Sequence, residues 1–221
     1  MLTIKNSLQQ ICTSIGEKVT LVAVSKTKSI EQIVEAYEAG QRDFGENYVQ
    51  ELIEKQVKLP TDIRWHFIGH LQSNKVKLIA PFVHLIHGVD SFKLLKEIHK
   101  QAQKNERIID CLLQLHIAKE ETKFGLDENE LNEILMSPEL AQLKNIRIRG
   151  LMGMASNTAD ATIIEKEFEL IQDVFNRIKT KQEENLQIDI LSTGMSSDYQ
   201  LAVKHGSRMV RIGSLIFGER K

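Results

Sequence analysis

Short apolar runs alternate with segments of helical period almost to the end of the 221-residue chain. The runs at 20–24, 64–68, 85–88, 109–116, 146–152, 188–191 and 209–212 read as strands of a parallel sheet, with a short, weakly apolar one at 43–44. Between them apolar residues recur at three- and four-residue steps. Ile30, Ile33, Val34 and Tyr37 mark one helix, and Val49, Leu52 and Ile53 a second. Phe92, Leu95 and Ile98 mark another, and Phe168, Ile171, Phe175 and Ile178 give the strongest helical pattern, over 160–181. Ile4, Leu8, Ile11 and Ile15 predict an extra helix before the first strand. Eight strand–helix alternations predict an α/β fold, a single (β/α)8 TIM barrel with an added N-terminal helix, one domain over 1–221. A doubly wound open sheet is the competing architecture, because the second strand is weak. No Pro/Gly linker or compositional shift marks a boundary, and the charged stretches 100–107 and 120–133 read as solvated helix faces and loops.

Composition narrows the class of function. A hydrophobic content of 42% supports a full core without a metal or disulfide staple. A net charge of −1 gives no drive toward nucleic acid or anionic lipid. No run is long enough to cross a bilayer, and the N-terminal segment is too polar for a signal peptide, so the expected location is the cytoplasm. Cys12 and Cys111 have no metal-ligand spacing, nor do His84, His87, His99, His116 and His205; no metal is expected.

The C-terminal strand ends of a barrel converge on one mouth. Here those ends concentrate small, polar and basic residues. Lys26 closes the apolar run Leu21-Val22-Ala23-Val24-Ser25-Lys26. Burial favours the neutral amine of a lysine, the form that attacks a carbonyl, so Lys26 is a candidate Schiff-base residue. Snorkelling into solvent is the commoner fate of such a lysine. The stretch from Ser192 to Asp198 and the pair Gly213-Ser214 follow the seventh and eighth strands, where barrels often hold a phosphate. The hydroxyl of Ser196 and the backbone at Gly213 and Ser214 are suited to an anion. Arg211, two residues before Gly213, points to the same side of its strand. A ligand with an aldehyde, a phosphate and an acceptor between them would satisfy all three, and pyridoxal 5′-phosphate (PLP) has that form.

The motifs carry a family resemblance. Val22 through Thr27, Phe44 through Glu51, Trp65 through Lys75, Lys123-Phe124-Gly125, Gly150-Leu151-Met152, Gly194 through Asp198 and Val210 through Gly218 resemble, in order, the pyridoxal phosphate homeostasis proteins. These are single-domain barrels related to the N-terminal barrel of alanine racemase. The resemblance implies a Schiff base at Lys26, phosphate contacts from Ser196, Gly213 and Ser214, Arg211 beside the pyridine nitrogen and Asn47 near the cofactor. His70, Thr193 and Ser214 depart from the residues commonest in the family, and Ser214 keeps the hydroxyl of threonine. His66 is expected to face the pocket from its strand, and Met152, with Met154, to pack against the ring or the core. Glu46 and Glu51 read as solvated, and Ser73 and Asn74 as helix caps.

Catalysis is the open question at this level. An arginine beside the pyridine nitrogen disfavours its protonation and weakens the ring as an electron sink. The resemblance implies a protein that holds PLP and buffers or delivers it, with PLP-dependent apoenzymes as partners and no nucleic acid, membrane or obligate dimer. The alternative is a PLP-dependent amino-acid racemase. Alanine racemases use a tyrosine from a second domain, and none of Tyr37, Tyr48 and Tyr199 is a candidate, each lying in or at the start of a helix. A lyase or aldolase joining Lys26 directly to a sugar phosphate is a third reading.

Overall fold

The computed structural model describes residues 3–120, 122–181 and 184–219. Residue 121 of the charged stretch, residues 182–183 and the extreme ends of the chain lie outside the described residues. Eight strands among the described residues close into a parallel barrel in chain order, β1 pairing with β8. They are β1 (Thr20–Val24), β2 (Asp43–Glu46), β3 (Arg64–Phe67), β4 (Leu85–Val89), β5 (Ile109–Leu115), β6 (Ile146–Gly153), β7 (Leu186–Ser192) and β8 (Met209–Ile212). The open sheet is thereby ruled out. The weak second strand is real, and two residues longer than its apolar signal because Glu46 is paired with Phe67.

Helices alternate with the strands. α1 (Ile4–Ile15) precedes the barrel, followed by α2 (Ile30–Glu38), α3 (Val49–Gln56), α4 (Val76–Ile79), α5 (Phe92–Lys104), α6 (Glu128–Met136), α7 (Ala161–Ile178), α8 (Tyr199–Lys204) and α9 (Ser214–Phe217). α1 starts at an N-cap, Thr3 Oγ1 accepting from the Asn6 amide at 3.2 Å, and buries Ile4, Leu8, Ile11 and Ile15 as its spacing predicts. α7 buries Phe168, Ile171, Phe175 and Ile178 behind the Asp160 cap. α6 begins within the charged stretch 120–133, read as solvated helix faces and loops, and runs three residues beyond it. Its start was written in the sequence as a capping box, Asp127 and Glu130 exchanging backbone bonds of 2.8 and 2.9 Å, and it buries Leu131, Ile134 and Leu135.

Strand alternation sorts side chains into two compartments. Leu21, Ala23, Phe44, Trp65 and Phe67 join the layer between sheet and helices. Val22, Leu85, Leu112, Met152 and Met209 fill the barrel interior in a separate cluster. No helix among the described residues is long and apolar enough to cross a membrane.

Candidate functional site

The strand ends surround a cavity of about 350 Å³ at the C-terminal mouth. Of the residues picked from sequence, Lys26, Asn47, Ser196, Arg211, Gly213 and Ser214 line it. His66 and Met152 do not. Both point into the barrel, 1% and 0% exposed, below the cavity floor. The cavity is instead lined by Ile68 and Met154, each two residues further along the same strand direction. With a side-chain period of two, His66 and Met152 are one inward step too deep.

Lys26 follows β1 between two anchored neighbours. Ser25, fully buried, donates through Oγ to Glu46 Oε1 at 2.6 Å. Lys55 of α3 donates through Nζ to the Ser25 carbonyl at 2.7 Å, to Glu46 Oε1 at 2.8 Å and to Glu51 Oε1 at 2.6 Å. Glu51 Oε1 in turn accepts from the Thr27 amide at 2.5 Å. Thr27 has φ 63°, a left-handed conformation costly for a β-branched residue, and this bond helps to hold it. Glu46 is therefore not solvated but 0% exposed. Burial lifts its carboxyl above the ordinary carboxylate range, against the pull of the Lys55 ammonium. The signal for this cluster was its spacing: Glu46 follows Phe44 by two on the helix-facing side, and Glu51 and Lys55 are four apart on α3.

At the opposite wall, Arg211 is 4% exposed. Its Nη1 donates to the Ser192 carbonyl at 2.8 Å and Ser192 Oγ at 2.7 Å, and its Nη2 to the Gly153 carbonyl at 2.9 Å. Burial pulls its pKa down to about 10, with Asp198 opposing, so the guanidinium stays charged at neutral pH. Among the described residues no carboxylate pairs with it. The loop after β7 is folded back by Asp198, whose Oδ1 accepts from the Met195 amide at 2.6 Å. Ser196 Oγ accepts from the Gly213 amide at 3.4 Å, tying the two last loops together.

The other end of the barrel is organised by ion pairs. Asp43 accepts from Arg64 Nε at 2.7 Å and His66 Nε2 at 3.0 Å. Ligand atoms of Asp43, His66 and His84 lie within 4.8 Å of one another, a grouping that chain spacing does not reveal. Arg64 already engages both Asp43 oxygens and so occupies the place a cation would take. Burial disfavours the Asp43 carboxylate, but the bonds and charges of Arg64 and His66 outweigh it and hold its pKa well below the usual range. A folded pKa below the unfolded one gives stability that is complete above about pH 4 and is lost as pH falls. Asp43→Asn is expected to lower stability by about 1–3 kcal/mol at neutral pH and to flatten the acid limb of a plot of urea midpoint against pH. An unchanged acid limb would contradict the assignment.

The residues present fit a PLP-like group on three observations. Asn47 Oδ1 is buried beside the cavity with no hydrogen-bond partner. Gly69 leaves room for that strand end, since a Cβ there would stand 2.3 Å from the Asn47 carbonyl oxygen. A Cβ on Gly213 would meet the Val24 carbonyl oxygen at 3.2 Å, so the turn after β8 packs close against the end of β1, two residues before Lys26.

A closed parallel barrel with a lysine at the end of β1, an arginine on β8 and hydroxyl-bearing loops after β7 and β8 defines a class: barrels that bind an anionic ligand at the C-terminal mouth. Residues 2–221 match the family described as alanine racemase, N-terminal domain, and the chain belongs to its pyridoxal phosphate homeostasis protein branch. The pyridoxal phosphate homeostasis protein of Pasteurella multocida is 40% identical over 207 residues, 91% of this chain and 87% of that one. The structure of PipY from Synechococcus elongatus with PLP bound is 37% identical, covering 98% of this chain and all of that one, with a TM-score of 0.89. Alanine racemase of Clostridium difficile shares the fold, at 17% identity and a TM-score of 0.76, over 99% of this chain and 57% of that one.

Proposed function

We propose that this protein holds PLP reversibly as a Schiff base on Lys26 and takes part in intracellular PLP homeostasis, buffering the cofactor or delivering it to PLP-dependent apoenzymes in the cytoplasm. The observation that carries the reading is that Lys26, Arg211 and the joined loops of Ser196 and Gly213-Ser214 line one cavity. The aldehyde of PLP supplies the carbon that a lysine amine joins with loss of water, and its phosphate supplies the charge that fixes it. In this assignment Ser196, Gly213 and Ser214 bind the phosphate, Asn47 directs its unpaired oxygen to a donor on the ligand, and Met154 and Ile68 bound the ring. Arg211 is held by two carbonyls and a hydroxyl, so it presents a fixed positive charge and no removable proton at neutral pH.

The three tyrosines are engaged or exposed away from the cavity. Tyr199 bonds Ser14 of α1 at 3.1 Å, Tyr37 bonds Asp62 at 2.7 Å and Tyr48 is 60% exposed; none of them lines the cavity. The test is to mix the purified protein with PLP, reduce with borohydride and map the adduct. The expected result is one PLP-derived mass on the peptide containing Lys26, with no deuterium wash-in at the α-carbon of alanine or serine. An unmodified protein, or an adduct spread over surface lysines, would sink the proposal.

A further inference from the structure

Below the cavity, the barrel interior carries a line of polar side chains from four different strands that mouth chemistry does not explain. His66 Nε2 meets Asp43 Oδ1 at 3.0 Å, and His66 Nδ1 meets His87 Nε2 at 2.9 Å. His87 Nδ1 then meets Ser192 Oγ at 3.3 Å, which receives Arg211 Nη1 at 2.7 Å. His66, His87 and Ser192 are 1%, 0% and 0% exposed, and none of the three lines the mouth cavity. They share the interior with Val22, Leu85, Leu112 and Met209, where polar groups are costly unless every one is satisfied.

The two ends set the direction of the hydrogens. Arginine can only donate, and an ionised aspartate can only accept. Between them, one arrangement gives each hydrogen an acceptor. Ser192 donates to His87 Nδ1, His87 Nε2–H donates to His66 Nδ1, and His66 Nε2–H donates to Asp43. In the opposite tautomer of His87, Ser192 Oγ would receive two donors, and its own hydrogen would find no acceptor among the described residues. Burial keeps His87 from taking up a proton, and the charge of Arg211 and the imidazoles of His66 and His84 act the same way. The charged groups facing the column are Arg211, with Asp198 acting on it, at the mouth end, and Arg64, Asp110 and Arg149 around Asp43 at the other; His84 stands beside His66, ring centroids 5.4 Å apart.

We propose that Asp43, His66, His87 and Ser192 form a one-way hydrogen-bonded column that fixes the guanidinium of Arg211 from behind, so that Asp43, at the N-terminal end of the barrel, tunes the ring pocket at the other. These are positioning residues, and the effect on PLP rests on the reading of the preceding section.

The experiment uses the full chain with ring nitrogens of histidine labelled by ¹⁵N, first without PLP. His87 is expected as the Nε2–H tautomer in the wild type and as a mixture in Asp43→Asn. With PLP added, Ser192→Ala is expected to raise the dissociation constant about tenfold. Asp43→Asn is expected to move the pH midpoint of the Schiff-base absorbance by about half a unit, roughly threefold in proton affinity. Asp110→Asn is the control: it breaks the pairs with Arg147 and Arg149 at the same end of the barrel, costs stability, and leaves both PLP readouts unchanged. If Asp43→Asn does not fold, His66→Gln interrupts the column one step further in and is read identically. His87 protonated on Nδ1 in the wild type overturns the column. So does an Asp43 or His66 variant with an unchanged midpoint, or an Asp110→Asn shift of equal size. A wild type that forms no Schiff base defeats the functional reading instead, and the tautomer of His87 then decides the column alone.

Discussion

Lys26→Ala is expected to abolish the Schiff-base absorbance and to weaken PLP binding by roughly hundredfold, about 2.7 kcal/mol, while the fold is retained. The loss is selective because the cavity holds its ligand at separate points. The phosphate loops of Ser196 and Gly213-Ser214 and the charge of Arg211 remain in the variant, so weak, salt-sensitive binding persists. Lys26→Arg should behave alike, since it restores a cation but no nucleophilic amine. The second lysine of the cavity gives a sharp control. Lys28 Nζ donates to the carbonyls of Phe217 at 3.3 Å, Gly218 at 3.0 Å and Glu219 at 3.4 Å, closing the end of α9. Lys28→Ala should therefore loosen α9 and leave the absorbance in place. Spectra and PLP titrations of the three variants decide the matter; a band that survives Lys26→Ala and vanishes in Lys28→Ala assigns the chemistry to the wrong residue here.

Lys55→Met is expected to destabilise the fold by about 3–5 kcal/mol at neutral pH, the range for removing one partner of a buried ion pair. The side chains of Lys55 and Glu46 are 6% and 0% exposed, and Glu46 Oε2 already lacks a hydrogen-bond partner. Without the ammonium, Glu46 keeps only the Ser25 hydroxyl, so it takes up a proton more readily in the folded than in the unfolded chain. A carboxyl with a raised folded pKa binds more protons when folded, so the deficit of the variant is largest at high pH and shrinks as pH falls toward the unfolded value of about 4.3. Urea midpoints at about pH 5 and 8 should show this trend, and Glu46→Gln added to Lys55→Met should recover part of the loss. The variant also frees the Ser25 carbonyl and leaves Glu51 alone on the Thr27 amide, so Schiff-base formation should weaken with it. A Lys55→Met protein within about 1 kcal/mol of the wild type at both pH values would show that the cluster does not carry the strand end.

Two of the candidate cofactor residues, His66 and Met152, do not line the cavity. Lys26, Asn47, Ser196, Gly213 and Ser214 lie just beyond their strands, where the mouth position follows from strand order alone. His66, Met152 and Arg211 lie inside theirs, where depth matters as well as side, and of the three only Arg211 reaches the cavity. Alternation correctly separates His66 from Trp65, which packs outward against Phe44 with ring centroids 6.0 Å apart. It cannot tell which inward layer reaches the ligand. Residue depth depends on strand tilt and stagger around the closed sheet, which are properties of all eight strands together. The charged clusters were hidden for a related reason. Glu46 and Glu51 read as solvated residues until β2 and α3 are packed around Lys55, and Asp43, His66 and His87 belong to three different strands.

The sequence alone determined the alternation of strands and helices, the added first helix, and the polar strand ends carrying Lys26, Arg211 and the Gly213-Ser214 turn, because side-chain period and turn chemistry are local properties of the chain. Only the tertiary structure decided which of those ends share a cavity, which charges are buried as pairs, and how Asp43 comes to be linked with Arg211. Those are contacts between residues far apart in the chain, 105 positions for His87 and Ser192 and 189 for Lys28 and Phe217, and they exist only once the barrel has closed.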